Sequence, residues 1–429
     1  MTTATPPSLA EIASCVSGYD PNALPVAQAQ EFIARLVPRV QAVEMLAIRS
    51  ALGRVLARDI VSAIDVPAHD NSAMDGYALR GADLSASGDT VLQVAGTGFA
   101  GAQFDGSVGA GQCLRIMTGA VMPAGLDTVV PQEFTKTDGT RVTVPAGVVR
   151  TGDNRRLAGE DLAKGEAALK AGRVLRPADL GLLASLGQAE VPVLRRLRVA
   201  FFSTGDELRS IGEPLDAGCV YDSNRYTLWG MLQRLGVDLI DMGVVRDDPA
   251  ALEVAFRHAA ENADAVITSG GVSVGEADHT KQVMKTLGDV LFWRIAMRPG
   301  RPMAIGRITS RGHDAILFGL PGNPVAVMVT FYAFVRDALL AMSGASAQPL
   351  PMLSAASTQP IRKKAGRTEY QRGIVSRGAS GWQVEITGSQ GSGILRSMSE
   401  ANGLVVLHHE QGNVAAGDRV DVLPFDGLV

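Results

Sequence analysis

The sequence predicts an α/β fold combined with β-rich parts, and three observations support that prediction. Between Arg198 and Met342, apolar strand-like runs alternate with amphipathic helical segments, which is typical of a mostly parallel sheet covered by helices on both faces. Residues 65–150 contain short β-type runs separated by Gly, Asp and Thr. The residues after Pro351 return to short strands and glycine turns, which indicates a small C-terminal β-barrel.

The part before residue 193 is expected to contain an elongated segment and a small β-rich domain. Because residues 43–64 and 151–192 flank the β-rich part, we interpret that part as an inserted β-rich domain within an elongated segment. The predicted elements here are a helix from Val26 to Val37 that Pro38 ends, a strand at Ile60–Ile64, β-type runs at Val91–Ala95, Cys113–Met117, Thr128–Pro131 and Val142–Val144, and a helix from Pro177 to Leu186 that Gly187 stops.

The α/β domain is predicted element by element. Its helix at Ser223–Leu235 shows the i, i+3, i+4, i+7 spacing of apolar residues from Leu228 to Leu235. The predicted strands are Val199–Phe202, Val237–Val245, Ala265–Thr268, Leu291–Met297 and Ile316–Phe318, and the other helices are Ala250–Asn262, Thr280–Leu287 and Val325–Met342. The predicted boundaries are 1–64 with 151–192 for the elongated part, 65–150 for the inserted domain, 193–347 for the α/β domain and 348–429 for the β-barrel.

Composition excludes several classes of protein. The 40 Lys and Arg against 44 Asp and Glu leave a net charge of −4 in 429 residues, without the basic excess of a nucleic-acid-binding protein. Three widely spaced cysteines argue against a disulfide framework or a zinc site and fit a reducing compartment. No secretory-signal pattern opens the chain, and the longest apolar stretch, Pro324–Val335, is too short to span a bilayer. We expect a cytoplasmic protein that binds neither nucleic acid nor membrane.

Polar, glycine-rich loops follow four of the predicted strands. Because an open parallel sheet binds ligands beyond the carboxyl ends of its strands, these loops predict a binding site. Glycines at 269–275 let backbone N–H groups approach a phosphate or a polar ring, although a tight strand-to-helix turn is the alternative. Asn323 and Pro324 can present an anion site at the start of a helix, or form a plain cap. The loops are Ser203–Glu207, Arg246–Pro249, Ser269–Asp278 and Gly319–Pro324.

A hydrolase interpretation of the same glycine loop is disfavoured. Gly271–Gly275 matches the GxSxG pattern of a nucleophile elbow, but Glu276–Asp278 separate it from the following helix. His313, His408 and His409 follow in the order that a Ser–Asp–His triad requires, yet none stands in a distinctive context. The loop is not a Walker A loop either, since no Lys-Ser/Thr pair follows it.

Arginines and carboxylates are segregated along the chain. Residues 291–311 contain five arginines and no acid, and the Pro–Gly turn at 297–302 suits bidentate capture of a doubly charged oxyanion by two of them. A solvated basic face is the alternative. Carboxylates gather in 65–77 and at Gly159–Asp161, where they suit Mg²⁺, although each alone is more typical of a turn or cap. Together they indicate a Mg²⁺-assisted reaction on an anionic, phosphate-bearing substrate. The arginines are Arg294, Arg298, Arg301, Arg307 and Arg311.

Six motifs resemble those of the MoeA family, the molybdopterin molybdenumtransferases, which include the E domain of gephyrin. They occur in the same order as in the family and extend over about residues 26 to 425 of this chain. The motifs are Asp70–Ala78, Ile116–Ala120, Gly159–Asp161, Ser203–Glu207, Ser269–Gly275 and Gly319–Pro324.

The resemblance implies a four-part fold and a reaction. The parts are an elongated segment, an inserted β-rich domain, an α/β domain similar to the molybdopterin adenylyltransferases, and a C-terminal β-barrel. The family is homodimeric, and its cleft lies between the α/β domain of one subunit and the inserted domain of the other. It inserts molybdate into adenylylated molybdopterin with Mg²⁺ and releases AMP. Charge neutralisation and positioning then matter more than a protein nucleophile. Implied partners are a second copy, a molybdopterin adenylyltransferase, and molybdoenzyme apoproteins or chaperones.

The motif match also implies site residues. Asp70, Thr118 and Asp161 would approach from the partner subunit toward a cleft in the α/β domain. That cleft would hold Glu207, Asp247 and Asp278. The implied catalytic residues are Asp161, Glu207, Asp278 and Asp70, of which Asp161, Glu207 and Asp278 are the implied Mg²⁺ ligands. The implied substrate-binding residues are Thr118, Asp247, Gly270, Gly271, Ser273, Pro321, Gly322, Asn323 and Pro324, and the implied molybdate residues are Arg298, Arg301, Arg372 and Ser392.

The sequence also departs from the family pattern, and two other functions stay open. Arg294, Arg298 and Arg301 stand where the family commonly has lysine, which keeps the charge but puts a role for a deprotonated amine in doubt. A non-catalytic dimeric scaffold of the same fold is one alternative, and retention of the acids at 161, 207 and 278 argues against it. A molybdopterin adenylyltransferase is the other, since the α/β domain is shared.

Overall fold

The structure, a computed structural model, describes residues 8–272, 279–347 and 350–425. The chain divides into two compact units, one formed by residues 45–52 and 58–192 and the other by the rest of the chain. The latter unit begins with helices α1 (Leu9–Ser14) and α2 (Val26–Leu36). Helix α2 confirms the predicted helix, and its apolar side chains are buried at helical spacing from Val26 to Leu36.

The unit of residues 45–52 and 58–192 is β-rich, as predicted. Six strands form a mixed sheet in the order β7-β4-β6-β5-β9-β8, in which only β5 and β6 run parallel. Its elements are β2 (Ile60–Val61), β3 (Asn71–Ser72), β4 (Gly76–Leu79), β5 (Thr90–Gly98), β6 (Gln112–Ile116), β7 (Thr128–Pro131), β8 (Lys136–Thr137), β9 (Arg141–Val144), β10 (Arg155–Arg156), β11 (Ala167–Leu169) and α3 (Pro177–Ser185), with 3-10 turns at Ile48–Ser50, Gly81–Asp83 and Gln132–Phe134; β1 (Val43–Ala47) and β12 (Glu190–Leu194) lie where the chain passes between the units.

The four β-type runs predicted here are all strands, but the predicted strand Ile60–Ile64 is too long. It ends at Val61 because the Ser62 hydroxyl donates to the carbonyl of Ile64 and closes a local turn. Helix α3 begins at Pro177 as predicted, and Gly187, with φ +70°, follows its C-terminus.

The α/β domain contains a six-stranded, mostly parallel sheet, as predicted. Its order is β16-β13-β17-β21-β20-β18, with β16, β13, β17 and β21 parallel and β20 antiparallel to both of its neighbours. Helices α5 and α6 cover the face that carries Ala200, Phe202 and Leu317. The elements are β13 (Arg198–Thr204), β14 (Leu208–Arg209), β15 (Val220–Tyr221), α4 (Ser223–Arg234), β16 (Asp238–Val245), α5 (Pro249–Asn262), β17 (Ala265–Ser269), α6 (His279–Leu287), β18 (Gly288–Arg294), β19 (Met297–Arg298), β20 (Pro302–Ser310) and β21 (His313–Leu320).

Two details of the sequence prediction for this domain are wrong. The predicted strand Leu291–Met297 is divided, since β18 ends at Arg294 and the short β19 pairs instead with the barrel strand at Thr368–Glu369. The sequence also predicted no strand between Met297 and Ile316, where β20 forms nine residues of the sheet. Pairing with β18 and β21 on its two sides makes β20 an interior strand of the sheet.

The long apolar helix that closes this domain is buried, as predicted. It consists of α7 (Pro324–Thr330), a π-helical turn (Phe331–Val335) and α8 (Arg336–Met342). At 19 residues it is longer than the apolar stretch counted in the sequence, and by length and composition alone it could span a membrane. However, 78% of its apolar window is buried inside the protein, which is the environment of a core helix.

The C-terminal region forms the predicted barrel. Strands pair in the order β23-β24-β22-β26-β25, and β25 pairs back to β23, which closes a five-stranded barrel around a core that includes Ala355, Val405 and Val422. The elements are β22 (Leu353–Ser357), β23 (Thr368–Gly378), β24 (Gly381–Ile386), α9 (Arg396–Glu400), β25 (Gly403–Leu407) and β26 (Arg419–Pro424).

Candidate functional site

The polar loops meet at the carboxyl edge of the parallel sheet, as the strand order requires. Ser203 of β13 pairs with Ser269 of β17, and Ser269 pairs with Leu320 of β21, so these three strands end level with one another. Thr204 pairs with Val245 at the end of β16. The loops that the sequence singled out after these strands therefore leave the sheet side by side.

Glycines allow two of these loops to lie in contact. Gly270 has φ +96°, and a Cβ there would collide with the carbonyl oxygen of Thr204. Its N–H donates to Leu320 O at 3.1 Å, which ties the β17 loop to the end of β21. A Cβ at Gly322 would lie 3.8 Å from the Cα of Gly270. The predicted residues Gly270 and Gly322 are thus neighbours, and neither carries a side chain that would keep the two loops apart.

Acidic side chains stand at the same edge. Asp247 accepts a hydrogen bond from the Thr280 hydroxyl at 3.2 Å, and Thr280 in turn packs against Gly271. The carboxylate of Glu207 lies beside Gly205 at the exposed end of β13, where a Cβ on that glycine would be 2.6 Å from Glu207 Oε2. The predicted site residues Ser273 and Asp278 lie outside the described residues.

The start of α7 differs in one respect from the prediction. Asn323 occupies the N-cap position and Pro324 the first helical position, as expected, but the Asn323 side chain makes no capping hydrogen bond. The N–H of Val325 donates instead to the carbonyl of Ser392 at 3.1 Å. The barrel loop that carries Ser392 is therefore held against the N-terminus of this helix.

A first cavity, which we call the loop cavity, brings several predicted residues together. It has a volume of about 360 Å³ and lies between the turn at 297–302 and the loop after β21. Arg298 and Arg301 are exposed, and neither guanidinium has a hydrogen bond or ion pair among the described residues. Two unpaired guanidinium groups at one cavity favour an anion. Its predicted residues are Arg298, Arg301, Pro321, Gly322, Asn323 and Ser392.

The arginine-rich stretch 291–311 is not a single surface. Arg301 precedes β20 at the carboxyl edge of the sheet, whereas Arg307 lies within β20 and Arg311 lies beyond its far end. Arg311 forms an ion pair with Glu261 at 3.5 Å. The antiparallel direction of β20 therefore carries two of the five arginines away from the loop cavity.

A second cavity, the barrel cavity, adjoins the first and is strongly cationic. It has a volume of about 430 Å³ and shares Arg298, Pro299 and Arg367 with the loop cavity. The one acid in its lining, Glu369, is buried and accepts from Arg367 at 2.7 Å. Most of this lining lies outside the predicted site residues, although the basic run from Arg362 to Arg367 is a visible signal in the sequence. Its cationic residues are Arg298, Arg362, Lys363, Lys364, Arg367 and Arg372.

Arg372, a predicted molybdate residue, lines the barrel cavity but is engaged by protein atoms. It is 1% exposed, and it donates to Ser397 Oγ at 2.9 Å and to the carbonyls of Ser389, Gln390 and Gly391 at 3.0 to 3.3 Å. Burial, with a smaller effect of nearby Arg298, lowers the pKa of Arg372 to about 10. Arg372 therefore holds the loop that leads to Ser392 and adds positive charge near it.

Lys363, like Arg372, is buried and donates hydrogen bonds to backbone carbonyls. Its side chain is 6% exposed, and its ammonium donates to the carbonyls of Lys364, Arg367 and Gln411 at 2.6 to 3.1 Å. Burial lowers the pKa of Lys363. The lysine thus holds the basic loop at 362–367 in place beside the barrel cavity.

The other compact unit carries Asp70, Thr118 and Asp161 on adjoining loops. Asp70 accepts from the N–H of Ala158 at 2.8 Å and forms an ion pair with Arg155 at 3.2 Å. The N–H of Asp161 donates to Val66 O at 3.1 Å, and its carboxylate is exposed. The loops at 65–75 and 155–161 are therefore joined by hydrogen bonds.

Thr118 is fixed by Asp75, one of the carboxylates that gather in residues 65–77. The Asp75 carboxylate accepts from the Thr118 N–H at 2.7 Å and from its hydroxyl at 2.8 Å. The bond from the Thr118 N–H, and to a smaller extent the bond from its hydroxyl, lower the pKa of Asp75. Thr118 lies in the middle of the 116–120 motif and is exposed, with its N–H and hydroxyl both engaged by Asp75.

Comparison with known families matches almost the whole length of this arrangement. The MoeA N-terminal region (domain I and II) matches residues 24–187, a probable molybdopterin binding domain matches 200–341, and the MoeA C-terminal region (domain IV) matches 354–425. The chain belongs to the MoeA family. The resemblance seen in the sequence motifs is thereby confirmed.

Curated and solved relatives agree with this MoeA assignment. The chain is 42% identical to the molybdopterin molybdenumtransferase of Haemophilus influenzae over 94% of this chain and 98% of that relative, and 37% identical to that of Nostoc sp. over 91% of each. It resembles the crystal structure of a molybdopterin biosynthesis moeA protein from Pyrococcus horikoshii OT3 with a TM-score of 0.80 and 28% identity, covering 94% of this chain and 99% of that one. The predicted transferase activity agrees with the names of the curated relatives.

Proposed function

We propose that this MoeA-family chain inserts molybdate into adenylylated molybdopterin, releasing AMP and forming molybdenum cofactor. The observation that carries the proposal is the pair of adjoining cavities at the carboxyl edge of the sheet. They share Arg298, and the loop cavity places two unpaired guanidinium groups beside the glycine loops. A dianionic oxyanion and a polar, phosphate-bearing ring system need these two environments next to each other.

Different residues would bind the molybdate and the pterin substrate. Arg298, Arg301 and Ser392 would bind molybdate in the loop cavity, since the two arginines line it without an ion pair among the described residues and Ser392 lines it beside them. Gly270 and Gly322 would let backbone approach the pterin substrate, while Glu207 and the other acids orient the nucleotide part. Arg372 acts indirectly, by fixing the loop that carries Ser392.

Magnesium is part of the proposal, and the donor set limits how it would be held. The described residues contain no group of three or more His, Cys, Asp or Glu side chains placed to hold a metal ion. Mg²⁺ commonly takes one or two carboxylates and completes its shell with water and substrate phosphates. The exposed carboxylates of Glu207 and Asp161 fit that mode, in which the ion neutralises phosphate charge when substrate is bound.

We also propose a homodimer, in which the partner subunit would supply Asp70, Thr118 and Asp161. Six large apolar side chains between residues 211 and 229 are exposed, with Ile211 at 62% and Trp229 at 48%. Such a cluster is typical of a protein–protein interface. Light scattering should give twice the chain mass, and Trp229→Glu should shift it toward the monomer. The apolar residues are Ile211, Leu215, Val220, Tyr221, Tyr226 and Trp229.

Location and further partners stay proposals as well. The three cysteines are free, which fits the reducing cytoplasm. A molybdopterin adenylyltransferase would supply the substrate, and molybdoenzyme apoproteins or chaperones would receive the product. Co-purification from cytoplasmic extract with and without molybdate tests these contacts.

The experiment that tests the activity is an AMP-release assay. Wild-type protein is incubated with adenylylated molybdopterin, molybdate and Mg²⁺, each also omitted in turn. We expect AMP only in the complete mixture, and Arg301→Ala and Glu207→Ala to lower the rate by about 100-fold, the usual effect of losing one electrostatic contact. Arg311→Ala removes an equal charge far from the cavities and serves as the control. Absence of AMP with the wild type and Glu207→Ala alike would contradict the proposal.

Two alternatives are separated by the same assay. A non-catalytic scaffold would bind no nucleotide substrate and release no AMP under any condition. A molybdopterin adenylyltransferase would instead consume ATP with free molybdopterin. The unpaired arginines at the loop cavity favour the molybdenum-inserting reaction, because only that reaction brings a separate dianionic oxyanion to the site.

A further inference from the structure

The start of helix α4 lies beneath the loops of the site, although no part of the predicted site included it. The helix has twelve residues and begins with Asp222 at the N-cap and Asn224 in its first turn. Both side chains are buried, with 2% and 8% of their surface exposed. Buried polar side chains are retained where they make specific hydrogen bonds, so their partners indicate what they do.

Asn224 joins two of the loops through one amide group. Its Nδ2 donates to Ser269 Oγ at 2.8 Å and to the carbonyl of Gly322 at 2.7 Å. Ser269 ends β17 directly before Gly270, and Gly322 belongs to the loop after β21. Both protons of the amide are therefore used, one for each glycine loop.

Asp222 links the same helix to a third strand. Its Oδ1 accepts from the Ser203 hydroxyl at 2.9 Å and from the N–H of Arg225 at 3.2 Å. Ser203 is two residues before Gly205, where the β13 loop begins. The first turn of α4 thus contacts the ends of β13, β17 and the loop after β21 at once.

We propose that Asn224 is a positioning residue for the molybdenum-inserting reaction, because it sets the spacing between the Gly270 and Gly322 loops. This inference rests on the proposed function, in which those loops bind the pterin substrate. Asn224 does not face either cavity, so its effect passes through the two loops. The position needs a double donor, since a carboxylate there would face the Gly322 carbonyl without a proton to donate.

Three variants separate the two links. Asn224→Asp keeps the shape and can still accept from Ser269 but cannot donate to Gly322; Ser269→Ala removes only the other link; Asn224→Ala removes both. Met231→Ala is the matched control, since Met231 is buried in the same helix at 5% exposure and lies about 10 Å further along it. Thermal unfolding of all four variants measures the general loss of stability.

Hydrogen–deuterium exchange and steady-state kinetics give the decisive readouts. We expect Asn224→Asp to speed exchange in 320–324, Ser269→Ala in 269–272, and Asn224→Ala in both, with Met231→Ala changing neither. For Asn224→Asp and Asn224→Ala, KM for adenylylated molybdopterin should rise about tenfold or more, while Met231→Ala keeps the wild-type KM.

Two results would overturn the inference. One is unchanged exchange in both loops for Asn224→Ala at a loss of melting temperature like that of Met231→Ala, which would make Asn224 an ordinary core residue. The other is faster exchange with an unchanged KM, which would mean that the loop spacing does not serve substrate binding. A wild-type protein that releases no AMP would refute the proposed function instead, and the exchange pattern would still decide whether Asn224 holds the loops.

Discussion

Replacing Arg372 by methionine should release the loop that carries Ser392 while leaving the barrel folded. The guanidinium makes four hydrogen bonds, and the two shortest of those that reach this loop join the carbonyls of Gly391 at 3.0 Å and Ser389 at 3.2 Å. A hydrogen bond from a charged donor contributes about 1.5–3 kcal/mol, so these two alone contribute about 3 kcal/mol at the lower limit. The apolar methionine offers no donor to the acceptors that it leaves behind.

Local exchange is the appropriate assay, because a chain of several domains does not give a single free energy of unfolding. A loss of about 3 kcal/mol corresponds to about two powers of ten in the rate at which amides of 389–394 exchange. Arg362→Met is the matched control, since Arg362 lines the same cavity, is exposed, and has no hydrogen bond or ion pair among the described residues. It removes the same charge without opening the loop.

The comparison of the two variants decides the role of Arg372. If both weaken molybdate binding but only Arg372→Met speeds exchange, the guanidinium acts through the loop as well as by its charge. Exchange in 389–394 that stays at the wild-type rate in Arg372→Met would refute the reasoning, because the four hydrogen bonds would then contribute nothing to the order of the loop.

Three further outcomes follow from single residues. Gly270→Ala should cost about 1–3 kcal/mol through strain at φ +96° and abolish AMP release, whereas Gly181→Ala, in an open position of helix α3, should not destabilise the protein; calorimetry compares them. Burial raises the pKa of Cys113 to about 12, so a thiol reagent at pH 8 should label the exposed Cys15 and reach Cys113 only after denaturation. Burial also raises the pKa of Asp222, so the folded protein binds this proton more tightly than the unfolded chain does; stability should therefore fall as pH rises through the folded pKa, and Asp222→Asn should flatten that fall in melting curves recorded from pH 3 to 7.

The parallel sheet could be predicted because its strands are buried on both faces. Val199–Phe202 and Ala265–Thr268 are short, continuous apolar runs. Between predicted helices, such runs are typical of strands in a parallel sheet. Once the strands are parallel, the loops after them must share an edge. The proximity of Gly270 and Gly322 therefore follows from local patterns alone.

Strand β20 shows where local patterns fail. Its start at Pro302 belongs to a Pro–Gly turn, and Gly306 and Arg307 interrupt its apolar run, so the local pattern predicts no strand there. Pairing with β18 and β21 overrides that local signal, because the backbone N–H and C=O groups of β20 form hydrogen bonds with a strand on each side. A Cβ at Gly306 would collide with the carbonyl of Asp289, which shows that the glycine permits close pairing rather than a turn.

The site residues that the sequence did not reveal are those whose partners are distant in the chain. Asn224 meets Ser269 across 45 residues and Gly322 across 98, and nothing around Asn224 in sequence indicates either contact. The barrel cavity likewise assembles a basic run after residue 361 with Arg298, more than 60 positions earlier, because β19 pairs with β23. Tertiary pairing, not local composition, determines these contacts.

The charge of the whole chain conceals this assembly. A net charge of −4 argues against a protein that binds nucleic acid. The lining of the barrel cavity nevertheless contains six Lys and Arg side chains and the single acid Glu369. Two of those six, Lys363 and Arg372, are buried and hold loops through backbone carbonyls, while Arg298 stays exposed without a partner. Hydrogen bonds to carbonyl groups do not remove the charge of a buried cation. Because the protein interior has a low dielectric constant, the positive potential of such a cation is screened less than that of an exposed one. An oxyanion entering the cavities would therefore be attracted by charges that it does not touch, and the exposed arginines would have only to orient it.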